Sequence, residues 1–361
     1  MNLANVKLVC LMPTYNKQDT LSKAIESVIM QKADFAYKLV ILDDYSSDDS
    51  HTIAQQYQAK FPDKIEIVRN ATNMGLLKSI TNGYSLLKGV DYFCVLDADD
   101  WYIYDKKFAD AVEFLEANRD FVSYFANVVV VENGKETLYY GGDVQVLDYD
   151  WSDYKRGKWI ATQTSGGIFR NVYFKDGINE AFLQGTKKPY CEAIRADGFR
   201  VVWHINAGKA HFVNNKESVY NCDIATNGGG GNLWASLQPC EQDLLNAQLY
   251  FALADFFPNE SNFFLKHTKS LYDKAIESFR NADKNLIVKN KDLVFYIYSQ
   301  TYLTNNPLFD NPTLTIEKQN SFIENIFSIK NSPDKRHKNI TILGLKIKIR
   351  KGSKDKSPKC K

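Results

Sequence analysis

The chain has 361 residues and a net charge of +2, with 44% hydrophobic and 24% charged residues. This length exceeds what one hydrophobic core usually serves, so we expect one large domain with an added region. No apolar run reaches about eighteen residues, so we expect no membrane-spanning helix. Met1–Val6 lacks the pattern of a secretion signal, and the six cysteines show no paired spacing. We therefore expect a cytoplasmic chain with neither a disulfide framework nor a zinc site.

The first hundred residues alternate between short apolar runs and segments with helical spacing. Lys7–Met12 is an apolar run stopped by Pro13, which is typical of a buried parallel strand. Either Asp19 or Thr20 can cap the helix that follows. Further on, the pattern predicts helices at Leu21–Ile29, Asp49–Lys60 and Leu76–Leu87, and strands at Lys38–Leu42, Ile65–Val68 and Tyr92–Leu96. This alternation predicts an α/β fold, with a mostly parallel sheet and helices on both faces.

Later segments are less regular. Phe121–Val131 and Thr137–Tyr140, separated by a short Asn-Gly turn, indicate a β-hairpin. Residues from about 240 to 330 have the spacing of helices. Gly228–Gly231 predicts a mobile loop. The tail Asn331–Lys361 carries eleven Lys or Arg and two Asp, so it is strongly basic on an otherwise acidic chain.

Three carboxylates follow the predicted strand Tyr92–Leu96 almost at once, at Asp97, Asp99 and Asp100. Like charges this close repel, and burying them is costly unless a cation lies among them. A divalent metal explains the run, because Mg²⁺ takes carboxylate oxygens and shares its coordination shell with substrate phosphates. A solvated acidic loop is the alternative. Polar residues also follow the first two strands, and ligands bind parallel sheets beyond such strand ends.

Four motifs carry a resemblance to a known family. They are, in chain order, Pro13-Thr-Tyr-Asn16, Leu42-Asp-Asp-Tyr-Ser-Ser-Asp48, the segment Asn70–Gly75, and Leu96-Asp-Ala-Asp-Asp100. In that order and spacing they resemble a family 2 glycosyltransferase of the GT-A fold. The resemblance is strong over residues 5–130, fair to about 225 and absent beyond.

The resemblance implies a domain organisation and a reaction. Residues 1–238 would form the Rossmann-like catalytic domain, 239–330 a helical accessory region, and 331–361 a basic tail. The reaction would be an inverting, metal-dependent transfer of a sugar from a nucleotide donor, most simply UDP-linked. A glycan or a lipid-linked molecule would be the acceptor, in a bacterial surface polysaccharide such as capsule or lipooligosaccharide.

The resemblance also assigns roles to single residues. It places Pro13, Tyr15 and Asp44 at the nucleotide, Asp97 at the ribose or sugar, and Asp99 at a Mg²⁺ or Mn²⁺ ion. The residue types agree, since Tyr15 can stack on a base and Asp44 can accept the N3–H of uracil. A tyrosine that packs in the core and an aspartate that caps a helix are the alternative interpretations.

The general base departs from the family pattern, because the expected Glu-Asp pair is missing. Tyr190–Arg195 resembles the family helix that bears it, and Gly198–Val201 resembles the strand that follows. Glu192 in this segment is the first choice for the base, and Glu180 is the second. His211 is a candidate to complete the metal site. For each, a structural or surface role is the alternative.

Other features bear on partners. Ser165–Gly167 resembles the family segment beneath the acceptor, and Trp234 after the glycine loop is a candidate for stacking on sugar. The basic tail could attract anionic lipid, so we expect peripheral contact with the inner face of the cytoplasmic membrane. We expect no nucleic-acid partner, because no such motif accompanies the charge. The region 239–330 could serve acceptor binding, membrane contact or self-association into a homo-oligomer.

Two rival functions remain open. A nucleotidyltransferase could use a similar sheet, but it usually needs a Gly-rich phosphate loop with a Lys near the amino terminus, which residues 7–20 lack. A degenerate transferase that binds nucleotide sugars or scaffolds an assembly would fit the missing Glu-Asp pair. It would bind the donor without turnover.

Overall fold

The computed structural model divides into two compact units, Met1–Leu237 and Gln238–Lys361. The structure describes residues 3, 5–141, 144, 147–158, 163–177, 196–223, 237–280, 286, 289–290, 292–294, 296–297, 327–331, 337–342 and 345–350.

A ten-stranded sheet organises the first unit within the described residues. Its strands are β1 (Leu8–Thr14), β2 (Tyr37–Asp43), β3 (Ile65–Arg69), β4 (Tyr92–Val95), β5 (Trp101–Tyr102), β6 (Phe121–Glu132), β7 (Lys135–Leu138), β8 (Leu147–Tyr149), β9 (Gly167–Arg170) and β10 (Lys209–Asn221). Their order is β3-β2-β1-β4-β9-β6-β10-β5, with β7 beside β6 and β8 beside β10.

Strands β1 to β4 pair in parallel, and β10 runs parallel to β6. Strand β9 is antiparallel to both of its neighbours, β4 and β6. Strands β6 and β7 form the predicted hairpin. The α/β fold with a mostly parallel sheet is therefore confirmed. The parallel β1–β4 block brings the polar segments that follow β1, β2 and β4 to one edge of the sheet.

Helices cover both faces of this sheet. They are α1 (Leu21–Ile29), α2 (Ser50–Lys60), α3 (Leu76–Ser85), α4 (Lys107–Ala117), the short α5 (Trp151–Lys155) and α6 (Ala196–Ala207). Leu8, Cys10 and Met12 of β1 share one core cluster with residues of α1 and α4. On the other face Gly83 of α3 packs so closely that an added Cβ would lie 2.5 Å from a Leu42 methyl.

The predicted strand Gly198–Val201 is wrong, because these residues lie inside α6. Phe199, Val202, Trp203 and Ile205 are all buried. A short, nearly continuous apolar run has no clear period, so a buried helix and a buried strand cannot be separated from such a pattern alone.

The second unit begins with two helices, α7 (Pro239–Phe256) and α8 (Ser261–Arg280). Tyr250 of α7 stacks on His267 of α8 with ring centroids 5.2 Å apart, and Lys274 contacts Asp243 at 2.9 Å. These helices agree with the spacing seen in the sequence. Phe327–Asn331 differs, because it is a strand at the end of the region predicted to be helical.

Three short strands form a separate antiparallel sheet, β11 (Phe327–Asn331), β12 (His337–Ile342) and β13 (Leu345–Arg350). Ile340 pairs with Ile347 and Thr341 with Lys346. The period-two alternation of this basic segment is therefore realised as β structure.

No helix in the described part of the chain combines the length and apolarity needed to cross a membrane.

Candidate functional site

The loops after β1 and β2 are held together by side chains of the sequence motifs. Ser46 Oγ accepts from the Asn16 N–H at 3.1 Å, and Asn16 Oδ1 accepts from the Ser47 N–H at 2.9 Å. Ser50 Oγ accepts from the Lys17 N–H at 2.7 Å. Because each loop satisfies the backbone of the other, the two motifs build one rigid edge above the sheet.

Asp44 is 4% exposed at this edge. Its Oδ1 accepts from Asn70 Nδ2 at 2.7 Å and from the Met74 N–H at 2.9 Å, while Oδ2 accepts from the Gly75 N–H at 2.8 Å. Gly75 has a φ of 81°, which glycine adopts without strain. A carboxylate oxygen has two lone pairs, so Oδ2 can accept one more hydrogen bond. Asp44 therefore orders the Asn70–Gly75 segment and retains capacity for a ligand.

Two exposed tyrosines lie next to Asp44. Tyr15 follows Thr14, whose carbonyl accepts from the Asp44 N–H at 2.9 Å, and Tyr45 follows Asp44 directly. Their exposed fractions are 41% and 51%. The Arg69 guanidinium lies 5.4 Å from the Tyr45 ring centre and donates to the Ser46 carbonyl at 3.0 Å. These flat, exposed groups offer stacking surfaces for a ring.

Pro13, also predicted at the nucleotide, is a buried residue of β1 paired with Leu42 of β2. It lies two residues before Tyr15 and fixes the backbone at the point where the strand ends.

Asp99 faces a cation that belongs to the chain. The Lys17 ammonium donates to Asp99 Oδ2 at 2.6 Å. Thr20 Oγ1 donates to the Ala98 carbonyl at 2.9 Å, so its hydroxyl joins the two loops instead of capping α1 as predicted. The loop after β1 is therefore fastened both to the loop after β2 and to the acidic run.

Asp97 lies in an environment that disfavours its charge. Burial, together with the charge of Asp99, raises the pKa of Asp97 to about 7, and the cations Arg200 and Lys17 oppose this shift. Arg200 of α6 is itself buried and donates to the Tyr84 hydroxyl at 3.0 Å. The acidic run is therefore only partly neutralised by the protein.

Asp100 is fully buried and held by two donors. Its Oδ1 accepts from the Asn221 N–H at 3.0 Å, and its Oδ2 accepts from Gln163 Nε2 at 2.9 Å. Burial and the charges of Asp99 and Asp97 raise the pKa of Asp100 well above its usual value. Both oxygens are engaged within the protein, so Asp100 connects the end of β10 to the acidic run.

The acidic run fits a divalent ion that shares its coordination with a ligand. Among the described residues, no three His, Cys, Asp or Glu side chains converge into a closed cage. Mg²⁺ and similar ions need only one or two carboxylates when phosphates and water complete the shell. Asp99, with Asp97 nearby, supplies such a partial set, and the raised pKa of Asp97 reflects its burial and the neighbouring charge of Asp99.

His211 lies elsewhere, and the expectation that it completes the metal site conflicts with its position. Its Nδ1 is 2.6 Å from Asp148 Oδ1, and its ring stacks on Phe114 with centroids 3.9 Å apart. His211 and Asn221 are ten positions apart on the same strand, β10. At ~3.3 Å per residue that separation is about 30 Å, and Asn221 is the residue that contacts Asp100.

The predicted acceptor segment Ser165–Gly167 leads into β9 and is fully buried. Gln163 Oε1 accepts from the Ser165 N–H at 2.7 Å, and the Gly166 carbonyl accepts from the Lys107 ammonium at 3.1 Å. Through Gln163 this segment is linked to Asp100. Glu192, Glu180, Trp234 and the glycine loop lie outside the described residues.

Sequence reasoning missed Lys17, Tyr45 and Arg69. Tyr45 lies within the motif Leu42–Asp48, and Arg69 directly precedes the segment Asn70–Gly75. Their position in the sequence could therefore have marked them as candidates for the site. Lys17 also adjoins a motif, Pro13–Asn16, but its partner Asp99 is 82 positions away. No pattern in the chain connects the two.

Comparison with known proteins agrees with these motifs. The sequence profile of glycosyl transferase family 2 matches residues 9–183. EpsE of Bacillus subtilis is 34% identical over 115 residues, covering 32% of this chain and 40% of that protein. The dTDP-rhamnosyl transferase RfbG of Shigella flexneri is 32% identical over 135 residues, covering 35% and 44%. The GalNAc(5)-diNAcBac-PP-undecaprenol beta-1,3-glucosyltransferase of Campylobacter jejuni is 29% identical over 167 residues, covering 45% and 50%.

The chain therefore spans no more than half the length of these three relatives. Among solved structures, S. aureus TarS 1–349 in complex with UDP-GlcNAc is similar over 96% of this chain and 99% of that one, with 13% identity and a TM-score of 0.47. The family profile covers the motifs after β1, β2 and β4 and the Ser165–Gly167 segment together. Residues 9–183 of this chain therefore match glycosyl transferase family 2 across all of these motifs.

Proposed function

We propose that this chain is an inverting, metal-dependent glycosyltransferase that moves a sugar from a UDP-linked donor to a glycan or a lipid-linked acceptor in bacterial surface polysaccharide synthesis. The observation that carries the proposal is that the segments after β1, β2 and β4 meet at one edge of the sheet. Lys17 joins the acidic run after β4 to the loop that bears Tyr15, and the backbone of Asp44 bonds to the start of that loop. The relatives named as rhamnosyl and glucosyl transferases support the same class of reaction.

In this proposal the nucleotide lies above β1 and β2. Tyr15 and Tyr45 would stack on the base, and the remaining lone pair of Asp44 Oδ2 would accept the N3–H of uracil. Cytosine has no N–H at this position, so this contact selects UDP over CDP. Pro13 and the motif contacts keep the edge rigid, so little ordering is needed when the donor binds.

The diphosphate and sugar would lie at the acidic run. Asp99, aided by Asp97, would hold Mg²⁺ or Mn²⁺, which when bound neutralises charge that develops on the leaving diphosphate. Asp97 would contact the ribose or the sugar. Asp100 would keep the run in place through its bonds to Gln163 and Asn221.

Inversion requires a carboxylate that takes the proton of the acceptor hydroxyl as that oxygen attacks. Glu192 is the first candidate and Glu180 the second, and such a base contributes about 10²–10⁴-fold to the rate. Changing the true base to Gln should slow transfer by about that factor while donor binding is retained. A Gln variant that retains full transfer would remove that residue from the role.

We further propose that residues 1–238 act as a cytoplasmic catalytic domain. The helical region 239–330 would serve acceptor binding or self-association, and the basic tail would bring the protein to anionic lipid. Sedimentation with and without anionic vesicles, before and after removal of residues 331–361, tests the tail. Equal sedimentation in all arms would refute its role.

The experiment that tests the function is nucleotide release from UDP-, GDP- and CDP-sugars, with and without Mn²⁺, first alone and then with glycan acceptors. We expect release of UDP that needs Mn²⁺ and is lost in Asp99→Asn. Asp105→Asn is the matched control, because Asp105 pairs with Lys32 on the exposed surface. Donor binding without release would favour a binding protein, and release of sugar 1-phosphate instead of the nucleoside diphosphate would favour a nucleotidyltransferase.

A further inference from the structure

Lys17 occupies one oxygen of the carboxylate that the proposed function gives to the metal. Its ammonium lies 2.6 Å from Asp99 Oδ2, and the two side chains are 19% and 25% exposed. The backbone of Lys17 is anchored by Ser50, and Thr20 ties the same loop to Ala98. The contact between Lys17 and Asp99 therefore follows from a fixed loop rather than from a loose surface side chain.

An ammonium and a divalent ion compete for this carboxylate. A bound Mg²⁺ or Mn²⁺ lies about 2 Å from its carboxylate ligand, so it would come within roughly 5 Å of Lys17 Nζ. Like charges at that distance repel. Lysine has a flexible four-carbon stem, so its ammonium can move while its backbone remains anchored.

The donor itself offers a new partner for the displaced ammonium. A nucleotide sugar carries a diphosphate with negative charge on both phosphate groups, and Lys is a common ligand of phosphate. The loop that carries Lys17 also carries Tyr15, which lies at the proposed base site. The ammonium is therefore placed between the proposed positions of the metal and of the diphosphate.

We propose that Lys17 exchanges partners during donor binding: it holds Asp99 before the donor arrives, and it moves to the diphosphate when the metal takes Asp99. This inference rests on the proposed function and specifies how its site is loaded. Its consequence is ordered binding. Free metal competes with Lys17 and binds weakly, whereas metal and nucleotide together bind well because the ammonium then has a phosphate partner.

The test is Mn²⁺ binding followed by the loss of the free-ion electron paramagnetic resonance signal, with and without UDP. Without UDP, Lys17→Met should bind Mn²⁺ about three- to fivefold more tightly than the unchanged protein, the upper part of the range expected when a partly exposed competing charge is removed. With Mn²⁺ present, the same variant should bind UDP more weakly in calorimetry. Lys17→Arg keeps the charge and should bind Mn²⁺ like the unchanged protein.

The matched control is Lys23→Met, since Lys23 is an exposed lysine of α1 that lies over the Trp101 ring. It loses the same charge and should bind Mn²⁺ within about twofold of the unchanged protein. Lys17→Gln is a second variant in case Lys17→Met unfolds, and thermal unfolding is recorded for each.

Two results would overturn the exchange. If Lys17→Met and Lys17→Gln bind Mn²⁺ no more tightly without UDP, while Mn²⁺ and UDP still bind together, the exchange is wrong and the proposed function stands. If neither the unchanged protein nor the variants bind Mn²⁺ even with UDP, the exchange fails and so does the metal-dependent reaction.

Discussion

A buried ion pair beneath the site leads to a quantitative prediction. Lys107 of α4 and Glu217 of β10 are both fully buried, and their Nζ and Oε2 atoms lie 3.0 Å apart. The same ammonium donates to the Gly166 carbonyl at 3.1 Å, and Tyr124 donates its hydroxyl to Glu217 Oε1 at 3.1 Å. Removal of one partner leaves a buried charge that water cannot reach.

We expect Lys107→Met to lower the free energy of unfolding by about 3–5 kcal/mol, which is typical when one partner of a buried pair is lost. Two charge-assisted hydrogen bonds disappear, and each contributes about 1.5–3 kcal/mol, so the magnitudes agree. The assay is urea unfolding followed by circular dichroism. The melting temperature should fall by roughly 10 °C for a unit of this size.

The control is a pair of similar geometry on the surface. Lys175 and Asp91 are only 2.6 Å apart, but their side chains are 54% and 48% exposed. Lys175→Met should therefore cost less than about 1 kcal/mol, because water screens the exposed pair. Equal losses in Lys107→Met and Lys175→Met would refute the reasoning that burial, and not distance, sets the energy.

A double variant separates the ion pair from general packing. In Lys107→Met with Glu217→Gln, the remaining amide is neutral and still accepts from Tyr124. The loss of unfolding free energy in the double variant should be smaller than the sum of the losses in the two single variants, by about 0.5–3 kcal/mol. Strict additivity would show that the two residues act independently.

Three further predictions concern Asp44, Asp97 and Gly208. Asp44→Asn weakens the charge-assisted bonds to Met74 and Gly75, so UDP affinity in calorimetry should fall at least about tenfold and stability by about 1.5–3 kcal/mol; unchanged UDP affinity would argue against a base contact. Burial raises the pKa of Asp97 to about 7, so ionisation of Asp97 is disfavoured in the folded chain. Without metal, the free energy of unfolding should therefore fall as pH rises from about 4 to 7, by at most about 4 kcal/mol. Asp97→Asn should remove that decline in urea unfolding with chelator, and an unaltered pH profile would contradict the cause given. Gly208→Ala places a methyl group 2.7 Å from Val122 and 2.8 Å from the Asp120 carbonyl, so it should lower the free energy of unfolding by about 1–3 kcal/mol. Gly141→Ala is the control, because there is open space around Gly141, and it should leave the free energy of unfolding unchanged in the same assay.

The alternating first half of the fold could be predicted because local pattern and tertiary position agree there. Strand β1 was expected at Lys7–Met12 and lies at Leu8–Thr14, and α1 lies at Leu21–Ile29 as expected. Parallel strands that are buried on both faces have continuous apolar sequences, and the helices between them are apolar on the side that packs on the sheet. The helix α6 was missed because it is buried around most of its circumference, which removes that signal.

The site could be predicted only where its residues follow one another in the chain. The close spacing of three carboxylates, Asp97, Asp99 and Asp100, predicts that a cation lies near them. The motifs place Tyr15 and Asp44 at strand ends. The sequence does not reveal that the first cation at Asp99 is Lys17, since that contact depends on how two loops meet. The position of His211 likewise depends on the tertiary fold, because no local pattern shows how far a residue of β10 lies from the acidic run.

The most direct test is a crystal structure of the chain with UDP and Mn²⁺, with the metal located by its anomalous scattering. The proposed site predicts a manganese peak on Asp99, the uracil between Tyr15 and Asp44, and the Lys17 ammonium on the diphosphate. A manganese peak away from Asp99, or a nucleotide bound elsewhere than above β1 and β2, would contradict the assignment of this edge as the donor site.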